Sequence, residues 1–413
     1  MTDLDLNQRK RILGEVSRLV ETKHFNPSLN GANWSDLVAE RFDRILDATG
    51  PEEFEKEMQS LVGALRTSHT GFYQKSGRTV PARHAINATF KACDVGGEQH
   101  WVFQDVHEGG TASLLGIEPG DVLLKVNGQP ISPPTQPVFR MSAPTDFSIR
   151  KRDGQLLSAP ATTPKPISGK RPIAEPKALS VSKLQPNIGY IKIRIFPGAV
   201  GIDLAKDIDR AVAEIADCER LIIDLRGNTG GGIGGMRMMG YLTPDKLPIG
   251  YSLTRKRAQN GFKREDLTRF GRIPRHKIAL PWLIIRYASA IVDQSICLVT
   301  EGLGPQKFHG RVVILVNEHS ASAAEMLAAF AQENKLATIV GTKTAGRLLS
   351  GRAFHVGEGY MLGVPVGAYY TWTGKLLEGT GIIPDIEMGL SCNDLRLGKD
   401  TQMEAGVETV RSL

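Results

Sequence analysis

The run Leu221-Ile222-Ile223-Asp224-Leu225-Arg226-Gly227-Asn228-Thr229-Gly230-Gly231-Gly232 decides how this chain is read. Its apolar start does not alternate with polar residues, which marks a strand buried on both faces. The glycines that follow allow a close backbone approach or a positive-φ turn. Outward from it, residues 188–196 read as a strand, 201–217 as a helix, 312–318 as a strand, 321–335 as a helix and 337–341 as a strand. This alternation predicts an α/β layered unit, here spanning residues 181–413. The chain shows no repeat of solenoid period.

The glycine-rich loop matches neither G-x-G-x-x-G nor G-x-x-x-x-G-K-[ST] and so predicts no nucleotide site. Two readings remain open: a turn that needs positive φ, or a loop whose N–H groups form an oxyanion hole. A second junction, Asn317-Glu318-His319-Ser320-Ala321-Ser322-Ala323-Ala324-Glu325, also has two readings. Ser322 and Glu325 make a capping box. A serine at a helix start equally suits a nucleophile, since the helix dipole and the next N–H favour an oxyanion.

Upstream, residues 1–83 read as mostly helical. Ile12, Val16, Leu19 and Val20 recur at helical spacing, and Pro51 opens a further helix over 51–65. Residues 84–160 change to short strands and turns. Pro160, Pro164, Pro166, Pro172 and Pro176 then mark an extended linker over 161–180. The stretch Ala112 to Gly128 follows A-x-x-x-G-I-x-P-G-D-x-L-x-x-V-N-G and resembles a PDZ domain. Its Pro119-Gly120 sets a tight turn and Asn127-Gly128 a hairpin. Such domains hold a peptide C-terminus by strand addition, and residues 84–89 are the expected carboxylate loop.

The chain has 413 residues, which at roughly 150 per domain suggests two or three domains. With 41% hydrophobic and 23% charged residues, its composition is that of a globular protein. No stretch is apolar enough to span a membrane. The N-terminus reads as an amphipathic helix rather than a secretion signal, so a cytoplasmic location is expected, or a periplasmic one if a signal has been removed. Cys93, Cys218, Cys297 and Cys392 form no C-x-x-C pair. Neither a zinc site nor a disulfide framework is therefore expected, and a reducing compartment is the default. The net charge of +7 is local: residues 255–277 hold nine Lys/Arg and two acids. That segment reads as a solvated insertion or as a site for acidic tails or anionic surfaces. No nucleic-acid motif accompanies it.

Taken in order, the S-H-T element at 68–70, the PDZ stretch, D-L-R-G-N-T-G-G, S-A-S-A-A-E and the closing G-I-I-P-D-I (381–386) resemble the S41 serine peptidases, which include C-terminal processing proteases and their tricorn-core relatives. The resemblance implies an α+β/α/β multidomain protein with a ClpP/crotonase-like β-β-α superhelix as its catalytic core, and Ser322 as the nucleophile. Processing proteases of the family place a lysine base 25 residues further on, where this chain has Arg347. A guanidinium with a pKa above 12 is no base at neutral pH, and Lys343 is out of register. The tricorn-like branch uses a Ser-His pair and a late glutamate, and Ser68, His69 and Glu378 match these positions. His69 is then the expected base. His319 is a rival base or shapes the pocket, and His355 reads as structural. N–H groups of Gly230 or Gly231 and of Ala323 are expected to form the oxyanion hole, and Arg347 is a candidate for holding a substrate carboxylate. The resemblance implies no metal or cofactor. The expected partners are peptides or unfolded proteins, with no nucleic acid; oligomeric state is left open. Two alternatives remain at this stage: a non-catalytic peptide-binding scaffold, and an esterase or amidase using the same site.

Overall fold

Leu221 and Ile223 face one side of their strand and Ile222 the other, and all three are fully buried. Both faces are covered because strand Arg220–Asp224 lies inside a parallel sheet. The strand order is Leu179–Gln185, Ile188–Ile193, Arg220–Asp224, Val312–Val316, Thr338–Gly341 and Ile386–Glu387, and only the first strand runs antiparallel to its neighbour. The crossover helices Ile202–Glu214 and Ala323–Glu333 bury their apolar sides on one face. The C-terminal helix Thr401–Ser412 covers the other, where Val410 packs with Ile222, Val313 and Leu315. Gly406 is needed for that approach, because a Cβ there would lie 2.8 Å from Leu315 Cδ2. The computed structural model describes residues 4–75, 79–140, 144–162, 177–288, 293 and 295–413.

A second, mostly antiparallel sheet contains Tyr360–Thr371, flanked by Gly71–Gln74 and Pro248–Thr254; the hairpin strand Leu349–Gly357 also pairs with it. The N-terminal helices Leu6–Lys23 and Pro51–Gly63 pack on this sheet and Trp34–Leu46 packs on those two helices, with Phe54 against the rings of Phe72 and Tyr360. The 1–83 segment is thus not purely helical. Its strand Gly71–Gln74 is registered with Gly363–Tyr360, which fixes the turn at Ser68-His69 just before it.

The inserted β unit has its own core around Phe90, Phe103, Phe147 and Ile149. Its strands run in the order Ala88–Asp94, Gln99–Val106, Val122–Val126, Pro144–Arg150 and Leu156–Thr162. Asn127 and Gly128 both take positive φ, as the hairpin reading requires. Of the expected linker, residues 163–176 lie outside the described residues, and Leu179 already begins a strand.

One expectation fails. Cys93 and Cys392, 299 residues apart in sequence, form a disulfide between the inserted unit and the short helix Cys392–Arg396. It is backed by a small cluster of Val102, Val122, Leu390 and Leu395. Spacing gave no sign of the pair because the fold alone brings the two residues together. Cys218 and Cys297 are buried free thiols. Alkylation of the denatured, unreduced protein should therefore label two cysteines, and after reduction four. Replacing Cys93 and Cys392 by Ser should lower unfolding stability by about 2–4 kcal/mol. In urea melts the wild type under reductant should match that variant; unchanged melts with four labelled thiols would exclude the link.

Candidate active site

Ser322 sits where strand Val312–Val316 turns into helix Ala323–Glu333, with φ +57° and ψ −120°. A side-chain-bearing residue pays a strain cost there, so the surroundings must hold it. Three contacts do. Ala321 N–H donates to Asn228 O (2.8 Å), Met326 N–H to Ser322 O (3.0 Å), and Ser322 N–H to the Glu325 carboxylate (2.9 Å). Gly230 presses against the turn: a Cβ on it would fall 2.5 Å from Ser322 Cβ and 2.8 Å from Ala323 N. Ser320, two residues earlier, is committed to the backbone. Its Oγ donates to Leu225 O (2.9 Å) and accepts from Asn317 N–H (3.0 Å). The two serines of S-A-S are thereby distinguished.

Ser68, His69 and Glu378 come together from opposite ends of the chain. Ser68 Oγ lies 2.9 Å from His69 Nδ1 and donates to Glu378 Oε2 (2.8 Å), while Ser68 N–H donates to Glu378 Oε1 (2.6 Å). With the Ser68 hydroxyl proton given to the carboxylate, its oxygen is left to accept from Nδ1–H. That arrangement puts the imidazole proton on Nδ1 and the free lone pair on Nε2. His69 itself has φ +61°, and Gly351 lies against it: a Cβ at 351 would be 2.8 Å from His69 Cβ. Part of His69 reaches solvent, yet protein crowds the ring. That desolvation lowers its pKa from the ordinary value; Glu378 pulls it upward and the Arg347 charge lowers it further.

Among the described residues no hydrogen bond joins Ser322 to His69. What relates them is a shared frame built by two carboxylates. Glu325, fully buried, accepts from Ser322 N–H (2.9 Å), Thr344 Oγ1 (2.6 Å), Gly346 N–H (2.7 Å) and Arg347 N–H (2.9 Å). The next residue, Leu348, donates its N–H to Glu378 Oε2 (3.0 Å). The adjacent residues 347 and 348 thus tie the serine turn to the histidine cluster. The sequence offered Glu325 only as a capping residue. Its contacts with residues 344–347 had no signal, because that loop carries no periodic pattern.

Of the expected oxyanion donors, Gly230 N–H is already given to Asn228 Oδ1 (2.8 Å). Gly231 N–H and Ala323 N–H have no partner among the described residues. Phe196 N–H to Gly230 O (2.9 Å) and Gly232 N–H to Phe196 O (2.8 Å) flank Gly231, so its own N–H turns to the other side of the strand-like bridge. Asn228, which the motif reading left unassigned, also donates Nδ2 to Ile193 O (2.8 Å) and so braces the loop.

The remaining expected residues separate cleanly. The Arg347 side chain is exposed and makes no hydrogen bond among the described residues. Lys343 is also exposed. His319 Nε2 is held at Phe90 O (3.2 Å), against the inserted unit, and His355 Nδ1 accepts from Gly357 N–H (3.2 Å). In the 84–89 region, the neighbouring Arg83 reaches into the core and donates to Gly227 O (2.6 Å) and Arg194 O (2.6 Å). This segment sits at the junction with the glycine loop.

Residues 187–388 match the profile of peptidase family S41 and residues 102–150 that of a PDZ domain. A putative tricorn protease homolog 2 of Streptomyces coelicolor is 22% identical over 398 residues, covering 90% of this chain and 30% of its own length. A carboxyl-terminal-processing protease of Synechocystis is 25% identical over 419 residues, covering 98% of this chain and 87% of its own. Among solved structures, a photosystem II D1 C-terminal processing protease superposes with a TM-score of 0.56 at 17% identity, covering 97% of this chain and 96% of that one. At that identity the likeness speaks to the fold.

Two substitutions test the frame. Gly230→Ala places a Cβ against Ser322 at φ +88°. It should leave the protein folded by circular dichroism while lowering kcat by about 10²-fold through misplacement of the serine turn. Glu325→Ala strands buried N–H and O–H donors and should cost at least about 3 kcal/mol in denaturant titrations. Wild-type behaviour of either variant would remove these contacts from the account.

Proposed function

We propose that this chain, whose residues 187–388 match the profile of peptidase family S41, is a serine peptidase of that family and hydrolyses peptide bonds through an acyl-enzyme on Ser322, with His69 as general base. The observation that carries this reading is the Glu378–Ser68–His69 chain, which leaves His69 Nε2 as the basic nitrogen. In the first step Ser322 Oγ attacks the scissile carbonyl carbon and its proton passes to His69 Nε2. The carbonyl electron pair moves to oxygen, where Gly231 N–H and Ala323 N–H stabilise it; one such donor is worth about 3 kcal/mol. Collapse expels the amine, which takes the proton from His69. Water then repeats the sequence on the acyl-enzyme and releases Ser322. Throughout, Ser68 relays between Nδ1–H and Glu378, whose charge favours the transient imidazolium.

Arg347 stands where a lysine base would stand in the processing branch. Its free guanidinium supports a role in holding an anionic substrate group, such as a C-terminal carboxylate. Unfolded chains or oligopeptides are the substrates that suit an endopeptidase paired with a PDZ unit. The unit of residues 84–160, which follows directly on the anchor that Arg83 makes to the glycine loop, presents their tails. The disulfide supports an oxidising compartment rather than the reducing one expected from cysteine spacing.

The test is cleavage of an unfolded polypeptide with an apolar C-terminal tail. Ser322→Ala and His69→Ala should each lose at least about 10³-fold in kcat/KM, while Arg347→Ala should retain turnover. Equal activity of wild type and Ser322→Ala would leave only a peptide-binding scaffold. Turnover of simple esters without peptides would indicate an esterase. The pH profile adds a sign. The base must be neutral, so activity falls as pH drops through the His69 pKa, and burial places that limb below the ordinary histidine value. Removing the Arg347 charge should move the limb upward, and Glu378→Gln should move it downward. A limb that ignores both substitutions would mean that His69 is not the titrating base.

A further inference from the structure

The segment after Phe270 has no part in the peptidase site. In it, Ile278, Trp282, Ile284 and Ile285 are 84%, 75%, 60% and 68% exposed. Ile278, Trp282 and Ile285 fall at i, i+4 and i+7, on one face of the turn Lys277–Ala279 and the helix Leu280–Arg286. In soluble proteins such spacing marks the face that a helix buries, yet here it points to solvent. Beside it lies a cleft of about 810 Å³ lined by Lys246, Arg269, Arg272, Arg275, Arg286 and Trp282. From residue 267 to residue 292 the sequence contains no Asp or Glu. Among the described residues, none of these five rim cations is in an ion pair; Lys277, on the preceding turn, pairs with Asp203 at 2.7 Å, and Glu265 and Glu301 lie within electrostatic reach of Arg269 and Arg272.

We infer that Arg272–Arg286 docks on an anionic lipid surface, with Trp282 and the isoleucines entering the headgroup boundary and the arginines contacting lipid phosphates. Charge selects this occupant. A second copy would bring one predominantly basic rim against another, which is repulsive. An uncharged apolar partner would leave the guanidinium groups uncompensated. A short apolar face with an interfacial tryptophan and a basic border is the combination that lies in a membrane interface. No helix among the described residues is long and apolar enough to cross a membrane.

The experiment uses the full chain with vesicles of phosphatidylcholine alone or mixed with phosphatidylglycerol. The protein should sediment with the mixed vesicles at low ionic strength, release as salt rises, and ignore the zwitterionic ones. Of the four tryptophans, Trp34 and Trp101 are buried and Trp372 is stacked under Arg264, so a blue shift of emission on binding should report Trp282. It should vanish in Trp282→Phe. Neutralising Arg272, Arg275 and Arg286 to Gln should weaken partitioning about fivefold per arginine. Hydrolysis of a soluble peptide should be unchanged in these variants, which shows that they are folded. Equal binding to both vesicle types, no binding to either, a Trp282-dependent dimer in solution, or binding to polyglutamate without binding to vesicles would each overturn the proposal.

Discussion

A single buried carboxylate organises the candidate site of this protein. Glu325 takes four donors, one from the start of its own first helical turn and three from the loop at 344–347. A carboxyl group suits the place, because its two oxygens can accept all four bonds, and acidic side chains are favoured in the first turn of a helix. Without it, the serine turn and the loop would be two separate pieces of irregular backbone with unsatisfied donors. With it, the strained φ at Ser322 becomes a fixed feature of the fold.

The histidine cluster uses the same device a short distance away. Glu378 accepts from Leu348 N–H as well as from Ser68, so residues 347 and 348 transmit position between the two carboxylates. The sheet strand Tyr360–Thr371 serves the same end from behind. It pairs with Gly71–Gln74, directly after His69, and with Leu349–Gly357, which carries Gly351 against the His69 side chain. The inserted unit grips the opposite wall. Asn317 Oδ1 accepts from Gly227 N–H (3.0 Å) and its Nδ2 donates to Asp105 Oδ2 (3.0 Å), so one amide touches both the inserted unit and the glycine loop.

Much of this was legible before any coordinates, for identifiable reasons. The strand at 221–224 could be read because burial on both faces removes alternation. Asn127-Gly128 could be read because only a few residues tolerate that turn. Ser68, His69 and Glu378 were recognisable only by order along the chain, and their hydrogen bonds could not be deduced from spacing. The Cys93–Cys392 link was illegible, since nothing local relates two residues on different units. The role of Glu325 was half legible: the capping pattern names its short-range bond, while the other three depend on a loop without periodicity. The exposed face at Ile278, Trp282 and Ile285 inverts the usual rule, because apolar spacing on a helix ordinarily signals a core.

Arg347 shows how one substitution can be consistent with a change of base. A lysine at this position can lose its proton when desolvated and act as a base. An arginine keeps its proton, so it contributes a permanent positive charge instead. Beside the larger effect of desolvation, that charge also lowers the His69 pKa, which favours the neutral imidazole that the proposed mechanism needs. Glu378 acts in the opposite direction and favours the imidazolium once it forms. The two charges therefore hold the imidazole between the demands of accepting a proton and stabilising it, and Ser68 keeps the acid at one remove from the ring. In the proposed mechanism the arginine replaces the lysine in place but not in role, and the base, His69, comes from the other end of the chain.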